Sequence, residues 1–113
     1  MTVATKADLR GAFLSLSQTL AAMADPSHPE DVANRRLAVS ARIAAAGRRA
    51  TDWNALPPAS DAFEPVIAGL DAATRALAVA DEPAEHLRAL DRADEALLRL
   101  EQVLNSAGED VGD

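Results

Sequence analysis

Near the C-terminal end, Leu90, Ala93, Leu97, Leu100 and Leu104 recur at alternating steps of three and four residues. Only an α-helix gathers such a series on one side, because a strand sends successive residues to opposite faces. Leu87, Leu98 and Val103 flank the series, and Asp81 is placed to cap it. Glu82, Pro83 and Glu85 put acid and a pre-set φ in the opening turn, beside the positive end of the helix dipole. A helix over 82–106 is expected, with Glu95 and Arg99 as a surface pair four residues apart. Gly108 is predicted to stop it, leaving a short disordered acidic tail over 108–113.

The same period marks three earlier segments. Thr5 and Asp8 have capping-box spacing, and Leu9, Phe13, Leu16, Leu20 and Met23 then share one face, which predicts a helix over 6–24 closed by Asp25-Pro26. Ser27 with Glu30 repeats the cap, Pro29 falls in the first turn, and Val32, Val39, Ile43 and Ala46 line a helix over 28–50, with Leu37 and Ala44 widening its stripe. Asp52, Trp53, Asn54, Pro57 and Pro58 make 51–59 a central loop. Ser60 or Asp61 can cap a helix over 61–80 bearing Phe63, Ile67, Leu70 and Leu77, with Val66 and Ala73 beside them.

β-Branched and aromatic residues never alternate over a strand's length, so the predicted class is all-α. At 113 residues, with no long Gly/Ser-rich or Pro-rich tract, one domain is expected: a four-helix bundle made of two antiparallel helical hairpins. Its core is thin. Alanine supplies about half of the apolar residues, and Phe13, Phe63 and Trp53 are the only aromatics besides histidine. A second copy or a protein partner would add apolar burial that such a core lacks.

Cysteine is absent, which removes disulfides, thiolate metal sites and cysteine nucleophiles together. The segment from Gly11 to Ala22 is interrupted by Ser15, Ser17, Gln18 and Thr19, so it reads as an amphipathic helix rather than a signal peptide. No run approaches the roughly 18 apolar residues of a membrane span. The expected setting is the cytoplasm.

Charge is unevenly divided. Met1 to Leu56 sums to about +2 and Pro57 to Asp113 to about −9, for a net charge of −7. Arg35, Arg42 and Arg49 lie seven residues apart on one side of the second helix, a stripe suited to an anionic surface: the acidic fourth helix of the same chain, a second subunit, or a protein partner. Direct nucleic-acid binding is not expected, because the net charge repels phosphate and no aromatic platform accompanies the arginines. Asp91, Asp94, Glu95 and Glu101 form the complementary acidic set, and a phosphate-mimicking inhibitor of a nucleic-acid enzyme is the alternative they raise.

Catalytic and metal patterns are weak. His28 and His86 are the only histidines, each in the opening turn of a predicted helix. A helical phosphotransfer protein using His86 is a second alternative, but Leu87-Arg88-Ala89 follows His86 where histidine phosphotransfer domains have a Lys-Gly pair. No Glu-x-x-His occurs, so the carboxylate metal sites of helical bundles are not expected, nor is any cofactor. Trp53 lacks the glycine of a Trp-x-Gly turn, Ala55 standing in its place, and is expected to cover one end of the core or to anchor a partner. These residues together predict a small, acidic, non-enzymatic interaction module: an adaptor, assembly factor or inhibitor.

Overall fold

The computed structural model describes residues 3–23 and 28–111, the last four of these as backbone only. They form five helices and, among the described residues, no strand: α1 (Lys6–Ala22), α2 (Glu30–Gly47), α3 (Ala50–Ala55), α4 (Phe63–Val79) and α5 (Pro83–Val111).

α1 starts as its capping box dictates. The Asp8 amide donates to Thr5 Oγ1 at 3.0 Å, and the Thr5 amide donates to the Asp8 carboxylate at 3.3 Å. Leu9, Phe13, Leu16 and Leu20 are buried, and Met23 packs against them half-buried. The Asp25-Pro26 stop and the Ser27 cap lie outside the described residues. α2 begins directly after Pro29, which makes no side-chain cap. α4 is led in by Ser60, whose Oγ accepts the Ala62 amide at 3.2 Å, and Pro65 falls in its first turn, where it removes no intrahelical bond.

Three expectations need correction. First, 50–55 is helical rather than loop. The Trp53 amide donates to the Arg49 carbonyl at 3.0 Å, and burial of the indole holds the turn that Asp52 and Asn54 alone would not favour. Leu56 is extended, as the residue before Pro57 prefers to be, and the helix ends there. Second, α5 starts one residue later than an Asp81 cap implies: the Glu82 carbonyl accepts the His86 amide at 3.0 Å, while the Glu82 amide faces the Glu85 carboxylate at 3.4 Å. Its far end runs to Val111, past Gly108; glycine within a helix costs about 1 kcal/mol relative to alanine, which weakens a helix without ending it. Gly112 and Asp113, the end of the expected disordered tail, lie outside the described residues. Third, Leu37 and Ala44 do not widen the apolar stripe of α2: both are exposed. At 100° per residue, Leu37 sits roughly 140° around the helix from buried Val32.

α5 is the central element, packing on α4, α2 and α3, while α1 packs mainly on α4 and only lightly on α2. α4 and α5 run antiparallel, and an ideal Cβ on Gly69 would lie 3.3 Å from the Ala96 Cβ, so the two helices approach closely there. α1 and α4 run parallel, with their starts joined side by side: the Lys6 amide donates to the Pro58 carbonyl at 2.8 Å and the Ser60 amide to the Ala4 carbonyl at 3.0 Å. The side chain of Lys6, the only lysine, adds Nζ contacts to the carbonyls of Leu56 at 3.1 Å and Trp53 at 3.4 Å, closing the C-terminal end of α3.

The core runs through all five helices. Leu90, Ala93, Leu97, Leu100 and Leu104 are fully buried on α5, facing Phe63, Val66, Leu70, Ala73 and Leu77 of α4 and the apolar sides of α1 and α2.

Candidate functional site

The arginine stripe follows from the direction of α2 relative to α5. Arg35 reaches Asp91 at 2.9 Å, and Arg42 spans Asp94 at 3.3 Å and Glu101 at 3.9 Å. Arg49, just past α2, bonds Asp52 at 2.8 Å through Nε and the Asn105 side-chain oxygen at 2.6 Å through Nη2. The numbers rise together on both helices, so α2 and α5 are parallel, and arginines seven residues apart on one meet acceptors spread from Asp91 to Asn105 along the other. The stripe is therefore engaged within the chain. Arg35 and Asp91 remain about half exposed, so their contact is screened by solvent and adds little to stability.

Glu95 is the member of the acidic set that the structure does not bring to the stripe. It is exposed, and among the described residues it makes no ion pair within 4.0 Å, with Arg99 or any other partner. A surface pair at this spacing gains only tenths of a kcal/mol, too little to hold two long side chains together. Arg88 and Arg92 line a shallow groove with Ala76, Val79 and Glu85 on the other side of α5.

Trp53 is a core residue. Only 3% of it is exposed, its Nε1 donates to the Ala46 carbonyl at 3.0 Å, and its ring lies 5.5 Å from that of Phe13. Arg10 covers it from outside, with the guanidinium carbon 5.7 Å from the ring centre. The indole thus closes one end of the core.

The two histidines meet, a juxtaposition not foreseen from sequence. His28 and His86 have ring centres 4.8 Å apart in an edge-to-face arrangement. His86 is 8% exposed, and its Nδ1 lies 3.0 Å from the Glu82 carbonyl. His28 lies two residues ahead of α2 and His86 in the first turn of α5, and the parallel course of α2 and α5 brings the two side by side; the available signal was that each stands near a predicted helix start. Among the described residues, no group of three or more His, Asp or Glu side chains is arranged to hold a metal ion. No described helix is long and apolar enough to cross a membrane.

One surface that the sequence reading passed over is the back of α2. Leu37 is 56% exposed there, amid exposed Asn34, Ala41 and Ala44, with Glu30 and Arg48 at the ends. The helical phase of Leu37 was the available signal, since it falls nearly opposite Val32 and Val39. Compared with protein-family models, curated proteins and solved structures, the chain matches none.

Proposed function

We propose that the chain is a small acidic protein-interaction module that acts by contact rather than catalysis, its four long helices forming a bundle with α3 as a short insert in the central connection. The observation that carries this reading is the placement of apolar side chains. Leu14 on α1 and Leu37 on α2 stand 48% and 56% exposed, although the core of this alanine-rich chain has few large side chains to spare. Helix-borne leucines in solvent are what a partner surface can cover.

The occupied arginine stripe supports the same direction. Asp91, Asp94 and Glu101 already face Arg35 and Arg42, which leaves them poorly suited to imitate a run of phosphates. The burial of His86, with Nδ1 against a backbone carbonyl, likewise weighs against phosphoryl relay through that ring.

The test is capture of native partners by the full chain, compared with Leu14→Glu and Leu37→Glu variants that keep their helical circular dichroism. A specific protein held by the native chain and lost from one of the variants supports the reading. Capture of nucleic-acid enzymes unaffected by either variant would favour phosphate mimicry instead. Phosphate transfer from a phosphorylated receiver domain to the chain, abolished by His86→Gln, would overturn the proposal.

A further inference from the structure

We infer that the back of α2 is a self-complementary surface on which a second copy of this chain docks antiparallel, so that the module's first partner is itself. The inference rests on the interaction reading above and names the surface and occupant.

Glu30, Asn34, Leu37, Ala41, Ala44 and Arg48 fall within an arc of about 80° on the side of α2 opposite its buried residues. Only the two end residues are charged: acid at the start, base at the finish, about 27 Å apart along the axis. An arrangement with a two-fold axis at the level of residue 39 satisfies every position at once. Glu30 of one copy faces Arg48 of the other, Asn34 faces Ala44, and Leu37 faces Ala41, each pair repeated by symmetry.

The sizes match as well as the charges. A leucine projecting from one helix meets an alanine on the other, so the axes can approach closely and the projecting side chain is covered. Antiparallel placement also sets the negative end of each helix dipole beside the positive end of its neighbour. A parallel arrangement would put Glu30 against Glu30 and Arg48 against Arg48, and a shift of one turn would separate the ion pairs from the leucine contacts.

The area of one helix face lies below the roughly 800 Å² per partner of a standard interface, so the association is expected to be weak and concentration-dependent. This stripe is distinct from Arg35 and Arg42, which point along the flank of α2 into their contacts with α5.

Sedimentation of the full chain from about 10 μM to about 1 mM, at low salt, tests the inference. The native chain is expected to move from monomer to dimer across that range, and Leu37→Glu to stay monomeric with an unchanged helical spectrum. Glu30→Arg and Arg48→Glu should each weaken the dimer at least tenfold, since each sets like charges opposite one another. The double variant Glu30→Arg with Arg48→Glu should restore it, because the reversed pairs match again. A monomer throughout, a dimer indifferent to Leu37→Glu, or a double variant as weak as the single ones would overturn the inference. None of these outcomes bears on capture of a foreign protein, so failure here is distinguishable from failure of the interaction reading.

Discussion

Trp53 is tied to Ala46, the last buried residue of α2, by the 3.0 Å bond from its indole nitrogen to the Ala46 carbonyl, across the break that separates α2 from α3. One side chain thereby holds the chain reversal and fills the space beside Phe13.

Replacing Trp53 with Phe keeps most of the packing and removes the bond. The Ala46 carbonyl still accepts the Arg49 amide at 3.2 Å, so it is not orphaned, and the expected loss is about 1 kcal/mol. Trp53→Ala also opens a cavity and should cost about 3 to 5 kcal/mol. Urea unfolding measures both, and the native protein's tryptophan emission should be blue-shifted and resist acrylamide quenching. A red, readily quenched emission would place the indole in water.

Leu97→Ala removes a fully buried side chain from the middle of α5, where α4 and the apolar sides of α1 and α2 meet. Destabilisation by about 2 to 4 kcal/mol is expected, because alanine-rich surroundings offer few flexible side chains to fill the gap. A loss below about 1 kcal/mol in chemical unfolding would show that the site can collapse.

Arg42→Glu sets three carboxylates together where Arg42 now spans Asp94 and Glu101. All three side chains are partly exposed, so the loss should be about 1 kcal/mol at low salt and should shrink as salt is raised, with screening beyond about 8 Å at physiological ionic strength. Thermal unfolding at two salt concentrations checks this. A salt-independent loss would mean that the arginine acts through packing of its aliphatic stem.

Gly11 and Gly69 offer a contrast between two helix-interior glycines. A Cβ at Gly11 meets nothing within 4 Å, so Gly11→Ala should stabilise the protein by about 0.5 to 1 kcal/mol through helix propensity alone. At Gly69 the added methyl would press on Ala96 at 3.3 Å, so Gly69→Ala should gain less or lose stability, and Gly69→Leu should push α4 from α5. Equal gains at both positions would contradict the close approach.

Apolar periodicity was enough to place α1, α4 and α5 and to name their buried faces, because a run such as Leu90 to Leu104 fits no other backbone. It could not say which helix each face would meet. That Arg35 and Arg42 find Asp91, Asp94 and Glu101 depends on the parallel course of α2 and α5, and direction is a property of the assembled chain. α3 was hidden for a different reason: Asp52, Asn54 and the two prolines argue against a helix locally, and only burial of Trp53 with the Lys6 cap outweighs them. The exposure of Leu37 was legible in its phase around α2, yet a stripe described by residue type alone absorbed it.

The side-by-side pairing of α1 with α4 and of α2 with α5 sets an order of events during synthesis. Both early helices precede both late helices in the chain, and the light contact between α1 and α2 cannot cover their apolar sides. The apolar sides of the first half, Leu9, Leu16, Val39 and Ile43 among them, are therefore expected to stay open to solvent until α4 and α5 can receive them. A fragment ending before α4 is expected to aggregate or to bind a chaperone rather than to fold as half of the protein.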